Sequence, residues 1–177
     1  MTIEVNEKGS KEFYKEFVNI LTQYRQLLYK PQDKLRNNYS KNIFLTVAMV
    51  ALFGLSLYGG INDSFNTMKI MVMVLSTVAV VFTIMYLLRM NKAVNEYMND
   101  DRPSVVTLDD NGVEIEKSGL QAIRLAWDNV AFVRVFNEST CFFSKDLNGI
   151  VLAVNNKYKN ELLDYIKDNN IKVLVVR

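Results

Sequence analysis

The hydrophobic pattern of the chain is dominated by two uncharged apolar runs of 19 residues each, Ile43–Ile61 and Ile70–Leu88. A helix rises about 1.5 Å per residue, so each run is just long enough to cross a hydrocarbon core of ~30 Å. Neither run has the polar stripe that a surface helix of a soluble protein turns towards solvent. Only eight residues separate them. The pattern therefore predicts a transmembrane helical hairpin.

Upstream of the hairpin, residues 1–41 combine a polar start, predicted to be frayed over residues 1–9, with an amphipathic helix over 10–30. Ser10 is a suitable N-cap, and the helix must end before Pro31. Its apolar positions recur at steps of three and four: Phe13, Phe17, Ile20, Leu21, Tyr24, Leu27 and Leu28. Such a helix either lies on a membrane surface or packs on a folded domain, and its mixed charges favour packing.

Downstream of the hairpin, the helical pattern continues to about Met98 and then gives way to short apolar runs separated by turn residues. Residues 42–103 thus contain the hairpin with a helical linker, and residues 104–177 a small β domain. The Asn111-Gly112 pair predicts a β-hairpin in which these residues supply positive φ angles. The predicted strands are Val105–Leu108, Val113–Ile115, Leu120–Leu125, Trp127–Phe136, Thr140–Ser144 and Ile150–Val154. A helix from Asn155 or Asn156 to about Asn169 and a closing strand within Ile171–Val176 complete the prediction.

Basic residues are distributed unevenly around the two apolar runs. Four precede the first run and two follow the second, whereas the short connecting loop has Lys69 beside Asp63. The six flanking residues are Lys30, Lys34, Arg36, Lys41, Arg89 and Lys92. Because Lys and Arg in short loops stay on the cytoplasmic side, the distribution predicts a multi-pass plasma-membrane protein with both termini in the cytoplasm.

The amino-acid composition excludes several kinds of catalytic and metal site. The chain has no histidine and one cysteine, Cys141. It therefore lacks the commonest general base and has no Cys/His nucleophile pair, no intramolecular disulfide and no thiolate zinc cluster. No segment is basic enough for a nucleic-acid footprint. An interfacial enzyme using Glu114 or Glu116 as a base is the weakest alternative. The sequence thus favours a non-enzymatic protein with no cofactor and no metal site.

Three residues of the β domain form a candidate interaction surface. Trp127 is the only tryptophan and could anchor a ligand, although a place in the core is the commoner use of such a residue. Arg124 and Arg134 could meet lipid headgroups. The domain has no cluster of four or more basic residues, however, so strong binding to anionic lipid is not indicated.

A series of short antiparallel strands followed by an amphipathic helix is typical of a pleckstrin-homology-like barrel. Four segments carry a closer resemblance: Thr107–Ile115, Arg124–Val130, Thr140–Ser144 and the helix after Asn155. Over roughly residues 42–170 the chain resembles the YcxB-like membrane protein family, and Trp127-Asp128-Asn129-Val130 is similar to the family's W-x-x-[IV] step. The helix over 10–30 has no firm counterpart there. The resemblance implies a fold and a membrane location but no reaction.

We therefore expect a membrane α+β protein. It should combine a two-helix transmembrane hairpin, an N-terminal amphipathic helix and a small antiparallel, β-barrel-like cytoplasmic domain capped by a C-terminal helix. The expected function is that of a membrane-anchored, non-catalytic binding or regulatory module. Its candidate partners are the lipid bilayer, a protein bound through residues 104–177 and further copies of the chain. The alternative is an immunity-type protein that protects against a membrane-active toxin.

Overall fold

A computed structural model describes residues 1–5, 9–36, 38–100, 102–146 and 149–176. The chain forms two compact units. We call Arg36–Ala93 the hairpin unit, and Met1–Leu35 together with Val94–Arg177 the folded unit. The first 35 residues therefore belong to the same unit as the C-terminal β domain.

Thirteen elements make up the described chain. In chain order they are β1 (Thr2–Val5), α1 (Lys11–Thr22), α2 (Tyr24–Tyr29), α3 (Asn38–Asp63), α4 (Thr67–Met98), β2 (Ser104–Asp109), β3 (Gly112–Lys117), β4 (Ile123–Ala126), β5 (Val130–Val135), β6 (Ser139–Ser144), β7 (Val151–Asn155), α5 (Lys159–Asp168) and β8 (Val175–Val176). Short 3-10 turns precede β5 at Trp127–Asn129 and α5 at Asn156–Tyr158.

Both predicted apolar runs are helical and lie within α3 and α4, which are long and apolar enough to cross a membrane. Only 6% of the most apolar 18-residue window of each helix is buried in the chain, unlike the core helix of a soluble protein. Four hydroxyls donate back to carbonyls of their own helix, as expected in an apolar setting. They belong to Thr46, Ser76, Thr77 and Thr83.

The folded unit contains two four-stranded sheets. Sheet A has the order β1-β2-β3-β4 and sheet B the order β7-β6-β5-β8. All neighbouring strands are antiparallel except β5 and β8, where Val133 and Arg134 pair with Val175 and Val176. The antiparallel sheets and the closing strand predicted from the sequence are thus present.

The prediction of a frayed N-terminus is wrong for residues 1–5, and its part over residues 6–8 lies outside the described residues. Thr2–Val5 forms β1 and pairs with β2, with Ile3 opposite Val106. The Met1 ammonium donates to the Leu108 carbonyl oxygen at 2.7 Å. The segment alternates polar and apolar side chains, the period that suits a half-buried strand, but its partner lies about a hundred residues away along the chain.

The β2–β3 hairpin is confirmed, whereas the predicted reason for its turn is wrong. Neither Asn111 nor Gly112 has a positive φ. The turn is instead held by the Asp109 carboxylate, which accepts hydrogen bonds from both of their backbone N–H groups. Gly112 is required for space, because a Cβ there would collide with the backbone of Leu125 and Ala126 in β4.

Several boundaries differ from the prediction. The strand predicted from Leu120 begins only at Ile123, after a turn in which Gly119 has a φ of +76°. Trp127, predicted to begin a strand, lies in the 3-10 turn before β5. The predicted cap at Asn155 or Asn156 is present at Asn155, whose side chain accepts from the Lys157 N–H at 2.9 Å, but it caps the 3-10 turn, and α5 begins only at Lys159. The turn predicted at 145–149 is described only in part, because residues 147 and 148 lie outside the described residues.

The inner face of sheet B packs against sheet A and α5. One core fills this space. Its members are Ile3, Val106, Leu108, Val113, Leu125, Val130, Val133, Phe142, Leu152, Val154, Leu162 and Ile166.

The other face of sheet B is covered by the N-terminal helices. Ile20, Tyr24 and Leu27 of α1 and α2 pack there in a second core with four side chains of β5, β6 and β7. Those four are Phe132, Cys141, Phe143 and Val151. The predicted helix over 10–30 is therefore a packed element, and it is divided at Gln23 into α1 and α2.

Candidate functional site

Two of the three predicted surface residues meet at the β2–β3 turn. The Arg124 guanidinium lies 2.6 Å from the Asp109 carboxylate and 3.6 Å from that of Glu114. The Trp127 indole N–H donates to the Asp109 carbonyl oxygen at 2.8 Å, and its ring is half-buried beside Phe142. The N–H groups of the turn and the Arg124 guanidinium lower the pKa of Asp109. These contacts hold the turn, so Arg124 and Trp127 have structural roles here.

Arg134 lies elsewhere, on β5 in sheet B, with its side chain only 8% exposed. Its guanidinium donates to the Pro31 carbonyl oxygen and sits 4.6 Å from the centre of the Phe136 ring. Burial lowers the pKa of Arg134. Arg134 therefore tethers the segment after α2 to sheet B, and the structure does not place it on an open surface with Arg124.

Cys141 is fully buried in the middle of β6. Burial raises the pKa of its thiol to about 12, so it stays protonated at neutral pH and is a poor nucleophile. Glu114, considered as a base, pairs with Arg124 as described above. Within the described ranges, no group of three or more His, Cys, Asp or Glu side chains could hold a metal ion.

The folded unit contains a cavity of about 550 Å³. One wall consists of α1 and the last turn of α4, where the Tyr97 ring stacks on Tyr14 and meets Phe17 edge-on. The opposite wall is formed by neighbouring ends of β1, β2, β3 and β4 together with the whole of β7. This volume lies within the range of about 300–1,000 Å³ that is usual for ligand sites.

Most of the exposed large apolar side chains of the folded unit lie at this cavity. Among its described residues, six large apolar side chains are exposed: Leu21, Tyr29, Leu120, Ile123, Ile150 and Leu174. Four of these six line the cavity, namely Leu21, Leu120, Ile123 and Ile150. Single exposed apolar residues are ordinary on protein surfaces, whereas a concave cluster indicates a binding site.

Charged groups stand beside this apolar lining. The Asp100 carboxylate binds the Arg102 guanidinium at 2.7 Å and the Lys117 ammonium at 3.0 Å. The hydrogen bond from Arg102, and after it the one from Lys117, holds the pKa of Asp100 well below its usual range. Lys157, which lies over the Tyr158 ring at 4.7 Å, also lines the cavity. An anionic group entering the cavity would therefore meet cations.

None of the cavity residues was identified from the sequence as a site. The relevant signals were present: the apolar face of α1 includes Phe17 and Leu21, and the helical stripe beyond the second apolar run includes Tyr97. These signals predict burial of each helix separately. That the two stripes meet through Tyr97, Tyr14 and Phe17 to form one wall of a cavity is a property of the tertiary fold, which no local pattern records.

No protein-family model matches the chain, and no curated protein or solved structure matches it. The resemblance to the YcxB-like family therefore stays a prediction, carried by the residues quoted for it above.

Proposed function

We propose that the protein is a membrane-anchored, non-catalytic binding module, in which the hairpin unit is the anchor and the folded unit binds its partner at the cavity. The observation that carries this proposal is the convergence of exposed apolar side chains on one concave site. The ionic groups at that site are paired with one another, as in Asp100 with Arg102, and the buried Cys141 thiol is inert. This arrangement suits recognition better than a reaction.

Two finer assignments belong to the same proposal. We assign both termini to the cytoplasm of a plasma-membrane protein because the basic residues flank the outer ends of the two apolar runs. We also assign the folded unit to the pleckstrin-homology-like class. Two antiparallel sheets packed face to face and a C-terminal helix against their core support that class.

Site-specific photo-crosslinking of the full-length chain in its own membranes tests the proposal. A photoreactive amino acid is placed at Ile123, inside the cavity lining, and in a matched variant at Leu174. Leu174 is the control because it is also a large apolar residue and lies outside the cavity lining. It is 61% exposed, and Ile123 is 45% exposed. We expect one molecule to be captured reproducibly from position 123 and not from position 174.

Two results would contradict the proposal. Equal capture from both positions would mean that the cavity has no special role. Crosslinks from position 123 only to further copies of the chain would indicate a homo-oligomer and no separate partner. Such an oligomer would favour the immunity-type alternative. A comparison of toxin sensitivity between a deletion strain and its parent then tests that alternative.

A further inference from the structure

The cavity extends from the surface towards the space between the two sheets. Val106 and Ile115 line it from sheet A, and Leu152 and Val154 line it from sheet B. Three of these four side chains are buried members of the inter-sheet core, and Ile115 packs against that core. The inner end of the cavity is therefore continuous with the hydrophobic interior of the folded unit.

This depth restricts what can occupy the cavity. A peptide backbone has an N–H and a C=O at nearly every residue, and burying these groups without partners is costly. A hydrocarbon chain has no such groups and gains from burial of its whole length. An extended peptide could pair with β7, which is an edge strand of sheet B, but it would reach the inner end of the cavity only with its side chains.

Charge complementarity indicates the other end of the ligand. Of the described lining residues, Arg102, Lys117 and Lys157 are cationic and Asp100 is anionic, an excess of two positive charges. The side chains of Arg102 and Lys117 are 44% and 33% exposed. Lys117 has three N–H donors, of which one is directed to Asp100, so it can also bind an anionic group.

We infer that the cavity binds a single-chain anionic amphiphile of the fatty-acid class, with its hydrocarbon chain along the apolar lining that reaches the inter-sheet core and its carboxylate at Arg102 and Lys117. This inference rests on the proposed function, because it names the ligand of the same cavity. A protein anchored in a bilayer is continuously exposed to molecules of this class. Affinity should depend on both parts of the ligand, and each part can be tested separately.

The test uses the full-length protein in an amphipathic polymer and the fluorescent fatty acid cis-parinaric acid as the probe. Energy transfer from Trp127, the only tryptophan, reports the probe bound to protein and discriminates against probe dissolved in the polymer. Palmitic acid and hexadecanol then compete for the site. The two competitors have the same chain length and differ in the charge of the head.

We expect palmitic acid to displace the probe about five- to tenfold more effectively than hexadecanol, because charged hydrogen bonds are stronger than neutral ones. Lys117→Gln should weaken displacement of the probe by palmitic acid by a similar factor. It should leave displacement by hexadecanol unchanged. The matched control Lys172→Gln removes one positive charge from an exposed residue outside the lining. It should change the displacement by neither competitor. Ile115→Phe enlarges a side chain that lines the inner part of the cavity and should weaken displacement by both competitors, with thermal unfolding measured to verify folding.

Two outcomes would overturn the inference in distinguishable ways. Equal displacement of the probe by the acid and the alcohol, weakened for both by Ile115→Phe, would reject the anionic head but keep the cavity as a binding site. No displacement by either competitor, combined with capture of a protein from position 123, would reject the amphiphile. The proposed function would then stand with a protein segment as the ligand.

Discussion

The two sheets of the folded unit differ in how many of their faces are covered. All six residues of β6, in the middle of sheet B, are buried, because sheet A covers one face and the N-terminal helices the other. In sheet A the outward-facing Glu114, Glu116 and Arg124 remain at least partly exposed. Sheet B thus needs other parts of the chain to cover both of its faces, whereas sheet A is covered on one face and uses the N-terminal segment only as its edge strand β1.

This difference also appears in the sequence pattern. A strand covered on one face alternates apolar and polar residues, whereas a strand covered on both faces does not. In β6 the Cys141-Phe142-Phe143 run has no alternation: Phe142 points into the inter-sheet core, and its two neighbours point towards α1 and α2. Residues 104–177 alone would therefore expose an apolar face that residues 1–35 cover.

Weakening the packing of α1 and α2 on sheet B should lower the free energy of unfolding more than any other change proposed here. Ile20 is fully buried between α1 and sheet B, so Ile20→Ala should lower the free energy of unfolding by about 2–5 kcal/mol. Leu21→Ala, on the more exposed side of the same helix, should cost less than about 1 kcal/mol. Urea unfolding followed by Trp127 fluorescence measures both. Thiol labelling of Cys141, which lies under α1, should accelerate only in the Ile20 variant, and equal labelling rates would disprove this role for α1.

A polar contact also secures the helical cover. The Glu16 carboxylate of α1 accepts hydrogen bonds from the backbone N–H groups of Asn137 and Glu138 and from the Ser139 hydroxyl. Glu16→Ala leaves these three donors without their acceptor, at a cost of about 1–3 kcal/mol. Glu12→Ala, at an exposed position one turn earlier, should cost less than about 0.5 kcal/mol. Equal midpoints in urea for the two variants would show that the Glu16 contact does not hold α1.

The corresponding test in sheet A concerns Gly112. Gly112→Ala should lower the free energy of unfolding by about 1–3 kcal/mol, because the new methyl group meets the β4 backbone. Gly119→Ala is the matched control: its Cβ would meet open space, and only the φ of +76° is unfavourable, at about 1 kcal/mol. If Gly112→Ala cost no more than the control, the close approach of β3 and β4 would not be the reason for this glycine.

The smallest expected effect concerns Asp100 beside the cavity. Its pKa is lowered in the folded state by Arg102 and Lys117, so its contribution to stability is present at pH 7 and is lost as the pH falls below about 4, its ordinary value when unfolded. Asp100→Asn should cost about 0.5–1 kcal/mol at pH 7, since both partners are partly exposed. The difference between the two proteins should shrink on acidification. A difference that is constant from pH 7 to pH 3 would contradict the ion pair as its source.

Local patterns were sufficient for the features whose causes are local. The lengths of the two apolar runs predicted α3 and α4, Ser10 predicted the start of α1, and Pro31 the end of the helical region. In each case the physical reason lies within a few residues: uninterrupted apolarity, a side-chain oxygen that caps free N–H groups, or a ring that excludes helical geometry.

Features that depend on distant partners required the folded structure. The strand Thr2–Val5 exists because β2 offers it an edge, and Arg134 is buried because the segment after α2 crosses above it. The cavity arises because α1 and the end of α4 approach two sheets without filling the space between them. Its position is set by the packing of elements up to about a hundred residues apart, and the short-range periodicity of a sequence contains no information about such distances.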